Sequence, residues 1–395
     1  MWYSSSVRSR LDRFVATVGA TCVRVRPWLL VATLACGCSP SRGDAYKLAL
    51  AQATRAESAG RFGEAATSYE RASEVAKVDR DKSYTLYLSA MMRAQAGDRA
   101  EALKRLDVIA AREPPTDDSA AAMYRAALLR IDGGEAERGW ADLEKLLSAF
   151  PSHGVTRNAL GRLLRHHQET EGPEKTGAWL AKKATELDAT ELGQIVQYQR
   201  ARLLEDAKDF GGAEKAFIAL ADRYPYPRGV HFDDALFRAS EAAEKQGRPA
   251  VAIEYLERLL KEREASHLMG TYERPRYIPA QKRIATLYET ALHDRPRARA
   301  AWHRLYAEFK TAVDRDDALW HEAQLWRDDG DVETSCARLS TLVSALPDSR
   351  YVPCATKLCP GVARPAKSKA PAECHDYILR PKESEPDADE PPTAP

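Results

Sequence analysis

Between Cys38 and Cys336 the sequence holds no cysteine, so neither disulfides nor thiolate metal sites organise the body of the chain. Asparagine is nearly absent and strand-like Val/Ile/Thr alternations are scarce, which argues against a β-sheet protein. Neither a phosphate-cradling G-x-x-x-x-G-K loop nor a G-x-S-x-G elbow occurs, and two common catalytic chemistries go with them. His321-Glu322-Ala323-Gln324-Leu325 falls short of the metalloprotease helix H-E-x-x-H, because Leu325 stands where the second ligand belongs. His166-His167 with Glu169 reads as a solvated helix end, with adventitious metal binding as the alternative. No metal and no cofactor is expected, and the chain is read as a non-enzyme. Charge of one sign is lacking too. Beyond residue 37 there are 54 basic and 57 acidic side chains, a net charge of −3. Nothing in that balance suggests a nucleic-acid partner, which needs a basic face.

What is present is helix-forming: Ala, Leu, Glu and Arg dominate, which points to an all-α chain. The amino terminus carries Arg8, Arg10, Arg13, Arg24 and Arg26 against Asp12 alone, followed by the apolar run Pro27 to Ala35. That run is shorter than the roughly 20 residues a bilayer crossing takes, but suits the h-region of a signal peptide. It ends in Cys36-Gly37-Cys38-Ser39-Pro40, which resembles the lipobox of bacterial lipoproteins. Cys38, with Gly37 before it and Ala35 three places back, fits better than Cys36, which has Thr33 at the third place. The resemblance implies a signal peptide over 1–37, cleavage before the cysteine and thioether lipidation of Cys38. The competing reading is an ordinary signal peptide with incidental cysteines. The stretch before Arg24 is long for an n-region, which points to a start codon downstream of Met1.

A repeat sets the fold. Gly60-Arg61-Phe62-Gly63-Glu64-Ala65, with Tyr69 and Ala72, recurs as Gly97 to Ala102 with Leu106 and Ile109, and again around Gly139, Ala213, Ala252 and Ser335. The glycine permits a sharp turn between two antiparallel helices, and the small residue lets the second helix approach the first. Apolar residues four and seven places on continue the buried stripe. Twelve places earlier another small residue usually stands, as at Ala53, Ala90, Ala127, Ala201 and Ala323. The intervals between the small residues are 37, 37, 74, 39 and 83, so two degenerate units fall near Thr176 and Ala298. Some nine extra residues coincide with Gly270 to Pro279, read as a loop between helices.

This pattern resembles the tetratricopeptide repeat (TPR) family, in about eight copies over residues 45–358. The period of 37 departs from the family norm of about 34, and the first helices lack the usual tryptophan. HEAT-like or Sel1-like pairs are the structural alternatives. The resemblance implies a right-handed helical solenoid whose first helices line a concave groove. An aromatic recurs fifteen places before the small residue: Tyr87, Tyr124, Tyr198, Phe237 and Trp320. These rings either line the groove for a partner or pack between successive first helices. Arg202, Glu205, Asp206, Glu241, Glu244, Lys245, Gln324 and Arg327 share the same wall, and their mixed signs suggest polar recognition. Tyr272, Arg274, Arg276 and Tyr277 in the loop form a second candidate contact surface.

Four cysteines cluster at the end: Cys336, Cys354, Cys359 and Cys374. Their spacing lacks the paired knuckles of a zinc site, which favours disulfides. Pro347 and Asp348 mark a turn, and Cys336 and Cys359 lie equally far from it, so they should face one another. Cys354 is then left to bond Cys374, although helix phase leaves the other two pairings open. Residues 359–395 read as a tethered segment and a disordered, acidic, proline-rich tail. The chain is therefore expected to be a lipid-anchored scaffold in the bacterial cell envelope, at the outer membrane facing the periplasm, with other envelope proteins as partners. The rival readings are the helical superstructure of a cell-wall hydrolase such as a lytic transglycosylase, or a structural component of a secretion or surface assembly.

Overall fold

The computed structural model describes residues 42–263 and 274–379. The signal peptide, both candidate lipidation sites (Cys36 and Cys38), Tyr272 and the end of the tail lie outside the described residues.

Helical hairpins follow one another along the chain: α1 (Asp44–Ser58) with α2 (Phe62–Val75), α3 (Asp79–Gln95) with α4 (Arg99–Ala110), and α5 (Asp117–Asp132) with α6 (Ala136–Ala149). Next come α7 (Gly154–Thr170) with α8 (Gly172–Glu186), α9 (Glu191–Asp206) with α10 (Phe210–Arg223), and α11 (Phe232–Lys245) with α12 (Pro249–Lys261). The series continues with α13 (Tyr277–Thr290) and α14 (Arg295–Glu308), then α15 (Arg315–Asp328) and α16 (Val332–Ala345). A short α17 (Val352–Leu358) and a single turn, α18 (Asp376–Leu379), close the described chain. No strand occurs among the described residues, and no helix there is long and apolar enough to cross a membrane. The fold is an all-α, TPR-like solenoid of helix pairs.

Each hairpin is built from the residues that recur. In the α3–α4 pair, Gly97 takes φ +85°, a left-handed conformation that a Cβ would strain, and the chain reverses there. Asp98 then caps α4 by accepting the backbone N–H of Glu101 at 3.3 Å. Ala90 and Ala102, the close-packing residues of the two helices, are both fully buried. The same place in the other second helices is filled by Ala65, Gly139, Thr176, Ala213, Ala252, Ala298 and Ser335, all buried. Thr176 and Ala298, the two degenerate units, thus occupy the same structural position as the clear ones.

The chain divides into two compact units, with the boundary inside α7 at Leu163 and Leu164. In the amino-terminal unit, small clusters such as Ala53, Ala56, Ala65, Ala66, Tyr69 and Met92 fill the spaces between helices. In the carboxyl-terminal unit one larger core runs from Tyr198 to Leu325 and contains Phe217, Phe232, Tyr277, Trp302 and Phe309.

Candidate partner-binding surface

The recurring aromatics do not stand open. Tyr124, Tyr198, Phe237 and Trp320 keep only 5–8% of their surface exposed, while Tyr87 is half-buried. Each of the four buried rings touches the next first helix or the residue just before it. Tyr124 accepts a hydrogen bond from Arg162 of α7 at 3.1 Å. Tyr198 stacks on His231, with ring centres 4.3 Å apart, and donates its hydroxyl proton to Asp234. Phe237 lies under the guanidinium of Arg276 at 4.6 Å, and Trp320 stacks on Tyr351 at 4.7 Å. Of the two readings open for this row, these four fit the packing one: they join successive hairpins, and little of their area is left exposed.

Around Tyr198 the first helices of the carboxyl-terminal unit carry a ladder of charge. Arg238 donates to Tyr198 at 3.0 Å, to Asp234 at 2.9 Å and to Glu205 at 2.9 Å. Arg276 reaches Asp234 through its Nε at 2.7 Å. Arg274 pairs with Asp233 at 2.7 Å, and Arg283 makes two 2.6 Å bonds to Glu244. Burial raises the carboxyl of Asp233 above its ordinary value, against the pull of Arg274. Burial acts on Asp234 in the same sense, but hydrogen bonds from Tyr198 and Arg238 outweigh it and hold that carboxyl low. Two adjacent carboxylates are thus driven apart, one by burial and the other by its hydrogen bonds.

The loop candidates fare differently from one another. Arg274 and Arg276 are held by α11 through the bonds just described. Tyr277 is fully buried as the first residue of α13, its hydroxyl donating to the Glu262 carbonyl at 3.1 Å. Its reading as a loop contact is therefore corrected. A proline in the first helical turn costs no hydrogen bond, so Pro279 allows α13 to begin two residues before it.

Beyond the ladder an open cleft of about 520 Å³ lies on the first helices α9, α11 and α13 and the first residue of α10. Glu205, Glu241, Glu244, Lys245 and Arg283 line it, with Phe210 and Ala242 as its apolar part. Of the residues expected to share this wall, Glu205, Glu241, Glu244 and Lys245 line the cleft. His321 and Glu322 of the near-miss metal motif are engaged elsewhere: His321 bonds Glu289 at 3.2 Å, and Glu322 bonds His303 at 3.0 Å and Arg338 at 2.7 Å. No group of His, Cys, Asp and Glu suited to a metal ion occurs among the described residues.

At the carboxyl end Cys336 of α16 is bonded to Cys359, and Cys354 of α17 to Cys374. The segment after α17 folds back along the last hairpin, where the backbone N–H of Lys369 donates to Asp348 at 2.6 Å and Ala370 is buried.

Residues 234–265, which begin in α11 and run past α12, match the Tetratricopeptide repeat family. This stretch is similar to a TPR unit. The sequence has no match among curated proteins. Among solved structures, the C-terminal part of a TPR repeat-containing protein from Cytophaga hutchinsonii is 15% identical, covering 68% of this chain and 98% of that one at a TM-score of 0.38. Pseudomonas aeruginosa PilF is 18% identical over 59% of this chain and 94% of its own, with a TM-score of 0.34. A tetratricopeptide repeat protein from Parabacteroides merdae is 14% identical over 71% and 99%, with a TM-score of 0.30.

Two regularities of the site went unread in the sequence. An aspartate stands four places before the small residue in half the hairpins: Asp98, Asp209, Asp294 and Asp331 each cap the second helix from there. One place earlier the backbone is left-handed in nearly every hairpin, including two without glycine, at Lys208 (φ 60°) and His293 (φ 50°). Aligning the copies on their small residues was enough to find the aspartates.

Proposed function

We propose that this protein is a lipid-anchored scaffold of the bacterial cell envelope that holds partner proteins against the first helices of its carboxyl-terminal unit. The observation that carries the binding half is the cleft on α9, α11 and α13: three successive first helices leave a polar, open concavity there. Such repeats stack their apolar residues into the core and leave the outer first-helix positions free for contacts. The anchor rests on Cys36-Gly37-Cys38 directly after the apolar run. One acyl chain gives only marginal attachment, and each buried methylene adds about 0.8 kcal/mol, so several chains on one cysteine make a firm tether.

Two measurements test the two halves. A clickable fatty acid should label the full chain and fail to label Cys38→Ala; label lost in Cys36→Ala and kept in Cys38→Ala moves the anchor. A photocrosslinker placed in cells at Lys245, on the cleft, should capture a discrete partner, whereas one at Lys215 on second helix α10 should not. Equal capture from both positions removes the cleft from the reading.

A further inference from the structure

We propose that the α9–α11–α13 cleft receives a lysine or arginine side chain from an extended partner segment, with the Glu241 carboxylate as its counter-ion. This rests on the scaffold reading and adds the chemistry of the guest. Three carboxylates line the cleft, and two are neutralised from within the protein. Glu205 is held by Arg202 at 3.0 Å and by Arg238 at 2.9 Å, and Glu244 by Arg283 at 2.6 Å. Glu241 has no hydrogen bond or ion pair to any described residue, although it is half-buried.

The arginines nearby are already committed, whereas Lys245, which also lines the cleft, is exposed and has no ion pair to any described residue. Arg238 and Arg276 are bonded to Asp234, and Arg283 to Glu244 through Nε and one Nη. Burial pushes the Glu241 carboxyl up despite the pull of Arg283 and Arg238. A charge withdrawn from water without a partner is costly, and an incoming cation removes that cost. Phe210 and Ala242 supply an apolar strip along which the methylene stem of a lysine or arginine lies while its head reaches Glu241. With Glu205 and Glu244 already paired, an acidic guest brings a like charge against the unpaired Glu241. The cleft is therefore a subsite selective for the sign of its guest's charge.

The test is selection of a phage-displayed library of random nonapeptides on the full chain. Peptides enriched on the wild type should share a lysine or arginine at one fixed place. They should bind Glu241→Gln about tenfold more weakly, the scale of one lost charge-assisted hydrogen bond. Glu241→Asp, which keeps the charge, should retain most of the preference, and Lys215→Gln, on α10 and away from the cleft lining, should leave it intact. Circular dichroism melting of each variant separates loss of the subsite from loss of the fold. Enrichment without a basic residue, no enrichment at all, or a basic preference that survives Glu241→Gln overturns the proposal. If Glu241→Gln still captures the same partner in cells from a crosslinker at Lys245, the scaffold reading stands and only this inference falls. If the wild type captures nothing, the scaffold reading falls with it.

Discussion

The two units use one hairpin plan with different fillings. The amino-terminal unit packs on alanine: Ala53, Ala56, Ala65, Ala66, Ala90, Ala122 and Ala126 fill its interior beside a few larger residues such as Tyr69, Leu106 and Ile109. Helix α3 even buries hydroxyls there. Thr85 donates to the Asp81 carbonyl at 2.7 Å and Ser89 to Glu70 at 3.1 Å. The carboxyl-terminal unit buries Phe217, Tyr277, Trp302 and Phe309 almost completely, and two disulfides close its last hairpin. Small side chains let helices approach closely but remove little apolar area from water, while aromatics remove much. In a solenoid, stability is roughly a sum over units and their interfaces, so the filling decides where the chain opens first. The cleft on α9, α11 and α13 lies in the better-filled unit.

The largest expected effect breaks this asymmetry outright. Trp302, 2% exposed, donates its indole N–H to Glu289 at 2.7 Å and stacks on His321 at 4.5 Å. Trp302→Ala should cost about 3–5 kcal/mol by emptying a packed site. Hydrogen exchange reads this helix by helix. In the wild type, α1 to α4 should exchange before α11 to α14, and the variant should reverse or erase that order. Slower exchange in α1 to α4 of the wild type would falsify the assignment of the weaker unit.

Next comes the covalent closure. Cys336–Cys359 and Cys354–Cys374 span 23 and 20 residues, and each should contribute about 2–4 kcal/mol by restricting the unfolded chain. Reduction should accelerate exchange in α16 and α17 and leave α1 to α4 unchanged. Peptide mapping of the non-reduced protein checks the pairing itself, and a Cys336–Cys354 link would contradict it.

Much of the fold was legible because one constraint repeats. A small residue at the helix crossing is needed in every hairpin, so its spacing located even the units centred on Thr176 and Ala298, where the surrounding residues have drifted. Periodicity tells which residues share a face, and there it runs out. It placed Tyr124, Tyr198, Phe237 and Trp320 on one side of their helices, but a neighbouring hairpin covers that side. The ladder joining Tyr198, Asp234, Arg238 and Arg276 links residues up to 78 apart, through side-chain directions that no local pattern records. Tyr277 falls within Gly270 to Pro279, where the repeat interval is some nine residues too long and a loop is expected, but interval length does not say where the next helix begins.

A smaller effect sharpens the comparison at the crossing itself. At Gly139 a Cβ would fall 2.6 Å from the Ala127 carbonyl oxygen and 2.6 Å from Ile131 Cγ1. The α5–α6 pair is therefore closer than pairs in which alanine fills this place, such as α9–α10 with Ala213. Gly139→Ala should cost about 1–3 kcal/mol by overpacking, against a gain of up to about 1 kcal/mol for the same change at an open, exposed helix site such as Gly161. Urea unfolding measures both. If Gly139→Ala stabilises, the hairpin is looser than its geometry implies.

The smallest effect concerns the caps, and it moves a feature from one hairpin to its neighbour. Asp98 caps α4, whereas Arg61 holds the equivalent place before α2 and offers no side-chain acceptor. The first amide N–H groups of α2 are left to water. Asp98→Ala should cost about 1 kcal/mol. Arg61→Asp should recover a similar amount, because Glu64 already stands at the third helical position, where a glutamate completes a capping box by reaching back to the cap residue's N–H. It forfeits the 3.1 Å pair between Arg61 and Glu64, which is solvent-exposed and contributes little. The pH dependence has a definite sign. At the homologous cap, hydrogen bonds from the Thr334 backbone and hydroxyl hold the Asp331 carboxyl below its ordinary value. The stabilisation from such a cap is thus fully present above the usual carboxylate pKa and is lost as pH falls through the depressed folded value. Arg61→Asp should therefore slow exchange in α2 at neutral pH, and that gain should fade on acidification. A gain that persists at low pH would show that removing the arginine, and not adding the cap, is what stabilises α2.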